Sequence, residues 1–242
     1  MITSLILATS LWPAEVVKQC TPPAEAIIVA IAESTTHEHL YCEIFTQHQQ
    51  KIHADYTFNS APIATKELDY TLSAYNPQVK QKDLRTGERR ESIANKQDIT
   101  LLYQETTTSK TEEKTFSSTE PDAIDAGFNN FIIAHWDELL SGKKTSLGFG
   151  SIPHQRIIPL KISLKPTEKC TLKKSPAAAP ICFWVDIDNA LLRLLIGNIK
   201  LSYDEKRRLI QYDGTVNIND NNGKTQHAII RYYYPNNNHE HE

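Results

Sequence analysis

At 242 residues, with 40% hydrophobic and 23% charged residues, the chain is long enough for one large β-rich domain or two small ones. A net charge of −3 and a pI near 6.3 exclude the global basic field that recruits nucleic acid. Even the basic run Lys80 to Arg90 is interleaved with Asp83 and Glu88, which describes a solvated loop rather than a phosphate track.

Residues 1–14 are apolar apart from Thr and Ser and match the length of a signal-peptide hydrophobic region. No Lys or Arg precedes the run, and Trp-Pro-Ala is a poor cleavage site, so two readings stand. One is a signal with a truncated or mis-assigned start; the other is a buried N-terminal strand or helix. The run is too short to span a bilayer, and no transmembrane segment is expected. Cys20 follows Val17, Lys18 and Gln19, not the small residues of a lipoprotein signal. The other cysteines are Cys42, Cys170 and Cys182, an even set that permits two disulfides in an exported protein. Cys170 and Cys182 flank the loop Lys173 to Pro180 and form the natural local pair, leaving Cys20 with Cys42 or two free thiols.

A single β-rich domain is expected over residues 30–234. Leu40 to Phe45 and Ile52 to Phe58 alternate as two strands of a hairpin, with Ile52, Ala54, Tyr56 and Phe58 on one face. Further strands fall near Ile63 to Leu72 and Ile99 to Glu105. Ser73 to Asn95, polar and charged, reads as a long connection between them, and Thr106 to Ser118 as a charge-covered edge strand.

Asp122 to Ser141 predicts one long amphipathic helix. Ile124, Phe128, Phe131, Ile132, Trp136, Leu139 and Leu140 form a wide apolar stripe, and Gly142 sits where a left-handed cap belongs. Ser146 to Ile152, Arg156 to Lys165 and Ile181 to Ile187 follow as strands, then a short helix at Ala190 to Ile196 ended by Gly197. Ile199 to Tyr203 and Arg208 to Tyr212 make a hairpin. Val216 to Asn219 and Thr225 to Tyr234 make another around Asn222-Gly223. Residues 235–242 read as a polar, disordered tail.

Several motifs carry a resemblance. Asp83-Leu84-Arg85-Thr86-Gly87, Asp125-Ala126-Gly127-Phe128, His135 to Gly142, Leu191 to Leu195 and Arg207 to Gly214 occur in an order that resembles an uncharacterised family of exported proteobacterial proteins, related to domains of unknown function. The resemblance spans Leu40 to Tyr234, with Ala190 where an aromatic residue is expected. The strand–helix–strand order is also similar to lipoprotein-carrier half-barrels. It implies an exported location and a fold, and no activity.

No catalytic motif stands out. His37-x-His39 near Cys42, and His239-x-His241, lack the spacing of a tetrahedral site, so neither a metal nor a cofactor is expected. Gly148-Phe149-Gly150-Ser151 misplaces the glycines of a nucleophile elbow. Gly142-Lys143-Lys144-Thr145-Ser146 lacks the upstream glycine of a P-loop, and its lysines suit a helix C-terminus. His135, beside Trp136, reads as a core histidine. Arg85 either ties its loop to the sheet through a carboxylate or meets an anionic head group at a cavity mouth.

The expected fold is therefore α+β and β-rich: a curved antiparallel sheet of eight to ten strands, an open barrel or half-barrel, wrapped around one long helix. If that sheet stays open, Tyr56, Phe58, Phe128, Phe131 and Ile132 line an apolar cavity with Arg85 at its mouth. The reading is a non-catalytic periplasmic protein that binds lipid or a lipoprotein acyl chain. The alternatives are an envelope scaffold or interaction protein without ligand, and a hydrolase whose site is assembled from distant residues.

Overall fold

The computed structural model describes residues 11–170, 180–187 and 198–235. Among them fifteen strands join one sheet in the order β8-β7-β6-β5-β4-β3-β2-β1-β15-β14-β13-β12-β11-β10-β9. Two meanders thus meet at the pair formed by β1 (Ile28–Glu33) and β15 (His227–Tyr233). The first meander is β2 (His39–His48), β3 (Lys51–Phe58), β4 (Ala61–Asp69), β5 (Gln78–Asp83), β6 (Arg89–Ala94), β7 (Asp98–Gln104) and β8 (Glu112–Ser117). The second is β9 (Ala123–Ile124), β10 (Thr145–Ser151), β11 (Arg156–Lys165), β12 (Ile181–Ile187), β13 (Ile199–Tyr203) and β14 (Leu209–Thr215). Every pairing is antiparallel except that of β9 with β10.

β1 carries no alternation in sequence because both its faces are buried. Ala30 and Ala32 face the concave side, while Val29 and Ile31 lie under α1 (Ala14–Cys20) with Trp12, Val16, Cys42 and Ile44. Cys20 and Cys42 are bridged across this contact, with Cα atoms 5.6 Å apart. Cys170 and Cys182 are bridged as well, at 5.8 Å. Both separations suit a disulfide. The expected short helix at 190–196 lies outside the described residues, as do residues 1–10, most of the 173–180 loop and residues 236–242.

The single long helix is corrected by the structure. Asp122 to Ala126 is drawn into β9, where Ala123 and Ile124 pair with Phe149 and Gly150. Two short helices follow, α2 (Gly127–Ala134) and α3 (Trp136–Leu140). They part at His135, whose φ of −100° and ψ of 17° leave helical geometry while its N–H is shared by the Phe131 and Ile132 carbonyls. The stripe survives the break. Phe131, Ile132, Trp136 and Leu139 are all buried, whereas Leu140 is exposed. Gly142 takes the expected left-handed conformation at φ +84°.

Ser73 to Asn95, read as a connection, holds the β5–β6 hairpin instead. Its inward positions are polar (Gln81, Asp83, Arg90, Ser92) and its outward ones include Lys80, Lys82 and Arg89, so no apolar alternation marks it. Val216 to Asn219, expected as a strand, is a loop segment that enters the concave face. β8 is an edge strand with Glu112, Glu113 and Lys114 exposed, a charge cover against edge pairing.

The curl closes when the second meander's far end returns to the first. The Ile124 N–H donates to the Tyr75 carbonyl at 3.0 Å, and the Asn76 amide donates to the Pro121 carbonyl at 2.9 Å. Ile124 and Ile152 then pack with Leu68, Val79, Ile99 and Leu101 on the inner face of β4–β7. A Cβ on Gly127 would lie 1.9 Å from the Tyr75 carbonyl oxygen, so this approach requires glycine.

Candidate functional site

The helix–sheet junction is where an apolar cavity was expected. Trp136 meets Phe183 and Tyr203 edge-on there, with ring centroids 5.2 Å apart in each case. Phe131, Ile132, Leu139, Leu147, Ile158, Leu160 and Ile162 complete the cluster. The Tyr203 hydroxyl donates to Asn129 Oδ1 at 2.9 Å, so even its polar tip is satisfied. A recess of about 360 Å³ lies elsewhere, lined by Glu25, Gln47, His48, Lys51, His53 and Glu67 among others, and it is open to solvent.

The six expected ligand-binding residues are not brought together. Phe131 and Ile132 lie in the helix–sheet core, with Phe128 partly buried against it. Tyr56 belongs to a separate cluster with Tyr41, Ala30, Ala54 and Ile218. Phe58 is 41% exposed, because a bulge between Tyr56 and Thr57 turns it off the face that Tyr56 shares, and it stacks on His39. The Arg85 guanidinium is fully engaged: it pairs with Asp83 at 2.6 Å and donates to the Asn219 carbonyl at 2.8 Å and to Asn221 Oδ1 at 3.0 Å. It ties its loop to the molecule through a carboxylate.

The chemistry-bearing residues gather on the concave face of the first meander, and the pairing explains how. Ala30, Glu43, Tyr56, Ala64 and Asp83 stand opposite one another in turn across β1–β5. Phe45, Ala54, Lys66, Gln81, Arg90 and Tyr103 form the neighbouring row across β2–β7. Because strand side chains alternate, each row faces inward as a unit. Into these rows fits the segment after β14. The Arg90 guanidinium pairs with Glu88 at 2.7 Å and donates to Asn217 Oδ1 at 3.3 Å. Asn219 donates to Glu88 Oε2 at 3.0 Å, and Gln81 donates to the Asn217 carbonyl at 3.0 Å.

At the centre Lys66 donates to both oxygens of Asp125 at 2.9 Å, with only 6% and 7% of the two side chains exposed. Asp125 also accepts from Asn217 at 3.0 Å. Glu43 lies on the same face and is nearly buried; desolvation lifts its carboxyl to about 7 against the pull of Lys66. Burial, with the Glu43 charge, also holds the phenols of Tyr41, Tyr56, Tyr212 and Tyr232 above their ordinary value. Single-sequence reasoning missed this cluster because its members sit on five strands and no two share a motif. The one signal was polar residues at inward positions of otherwise alternating strands.

One nucleophile–base contact exists. Ser151 Oγ and His154 Nδ1 lie 2.8 Å apart in the β10–β11 turn. Burial and the charges of Arg156 and Arg90 lower the His154 pKa. No carboxylate orients this imidazole among the described residues, so the contact lacks the third member of a hydrolase triad. Nor do the described residues hold any group of three or more His, Cys, Asp or Glu placed for a metal. No helix among them is long and apolar enough to cross a membrane.

No family model matches the chain, and no curated protein matches it. Among solved structures it is similar to a beta-barrel-like protein of domain of unknown function DUF1849 from Brucella abortus, with a TM-score of 0.49 and 5% identity. That similarity covers 86% of this chain and 98% of the other.

Proposed function

We propose that this is a non-catalytic protein of the periplasm, or of another exported location, that acts as an envelope scaffold or interaction protein. The observation that carries this reading is the filled helix–sheet junction, where Trp136, Phe183 and Tyr203 occupy the space a buried ligand would need. Two bridged cysteine pairs support an oxidising compartment.

A second reading, an apolar ligand such as a lipid or lipoprotein acyl chain, draws on a different place. Phe128 is only partly buried and meets Phe149 at 6.1 Å, while Tyr75, 38% exposed, meets Phe131 at 6.2 Å. These rings form a shallow apolar surface at the start of α2. Mass spectrometry of lipid extracted from the purified protein separates the two readings. The scaffold reading expects no stoichiometric lipid. Bound lipid, displaced by Phe128→Arg, overturns it in favour of the second.

A further inference from the structure

The concave face of β1–β3, β14 and β15 carries a charge that its neighbours leave uncompensated. Glu43 is 6% exposed and makes no hydrogen bond or ion pair with any described residue. The cation nearest to it in effect is Lys66, which both oxygens of Asp125 already hold. Arg85 and Arg90, farther along the face, are held by Asp83 and Glu88. The Tyr41 hydroxyl, on a residue 1% exposed, is likewise buried and without a partner.

What surrounds the carboxylate is aromatic. Tyr56 stands directly opposite Glu43 on β3, and Ala30 opposite it on β1. Tyr232 is paired with Ala30, and Tyr212 with Ile230, the next inward position of β15. Ala30, Ala54 and Ala64 offer nothing beyond Cβ on this face, while Phe45, Tyr212 and Tyr232 keep accessible surface. A buried, unpaired carboxylate is costly unless something positive comes to meet it.

We propose that this face binds a small organic cation of the alkylammonium class, with Glu43 as counter-ion and Tyr41, Tyr56, Tyr212 and Tyr232 as its aromatic wall. Tyrosine ring faces attract a cation through their quadrupole, most strongly where water is excluded. An anion would meet Glu43 head-on, and a divalent metal would find no set of three metal-binding side chains among the described residues. A monovalent organic cation satisfies both the charge and the rings.

The test is titration calorimetry of the full chain at pH 8 with tetramethylammonium chloride. Sodium chloride at equal ionic strength and neopentyl alcohol, an uncharged analogue of similar shape, serve as controls. Saturable binding of tetramethylammonium alone is expected. Glu43→Gln should weaken it at least about tenfold, the loss of a desolvated charge partner. Tyr56→Phe, which keeps the ring, should leave it within about threefold. Tyr212→Leu, on the half-buried rim, should weaken it and supplies a second variant should Glu43→Gln fold poorly. Absence of saturable binding by folded wild type, equal binding of sodium, or full affinity in both weakening variants would each overturn the proposal.

Discussion

Burial lifts the Glu43 carboxyl to about 7 from an ordinary value near 4.5, because ionisation there takes place away from water and beside the negative charge of Asp125. The folded state therefore keeps a proton that the unfolded chain releases. The contribution is at its full value below about pH 4.5, declines as pH rises through 4.5 to 7, and is lost above about 7. Linkage makes that loss about 3 kcal/mol between acid and mildly alkaline solution. Glu43→Gln keeps shape and volume and removes the titration. Its urea stability should exceed wild type by about 3 kcal/mol at pH 8 and converge on it near pH 4. Parallel stability–pH curves for the two proteins would show that Glu43 does not titrate in the folded state.

At the scale of elements, α2 and α3 contribute through one anchor. Trp136 is 3% exposed and touches two other aromatic rings, so Trp136→Ala should destabilise the protein by about 3–5 kcal/mol, measured by denaturant unfolding. A loss below about 1 kcal/mol would place that face in solvent. The α1 strap depends on covalent closure as well. Replacing Cys20 and Cys42 by alanine opens a loop of 22 residues and should cost about 3 kcal/mol, with reductant bringing wild type to the same value if Cys170–Cys182 is replaced in both. The stripe that marks α2 and α3 was legible because apolar spacing reports which side chains face the core. The break at His135 was not, since it arises from β9 pairing and from the approach of Tyr75 to Gly127, both long-range. The β5–β6 hairpin escaped notice for the opposite reason: its core-facing residues are polar and find their partners on Val216 to Asn219, more than a hundred residues away.

On the scale of the whole molecule, the meander order and the edge character of β8 follow from turn signals and alternation, which are local. The joining of β1 to β15 and the closure of the curl do not, because they depend on residues that meet only once the sheet has bent. Lys66 and Asp125 make the central tie of that closure, joining β4 to the end of β9 with almost no solvent contact. Their worth lies in being left together. Lys66→Met strands a buried carboxylate and should destabilise the fold by about 3–5 kcal/mol, as should Asp125→Asn, which tolerates the left-handed φ of +47° at that position. The double variant removes both charges, so it should cost well below the sum of the singles, with a coupling of at least about 2 kcal/mol. Urea unfolding of the four proteins at one pH measures that coupling. Strictly additive losses would mean that the two halves of the sheet are held by their apolar contacts at Ile124 and Ile152 alone, with the ion pair incidental to closure.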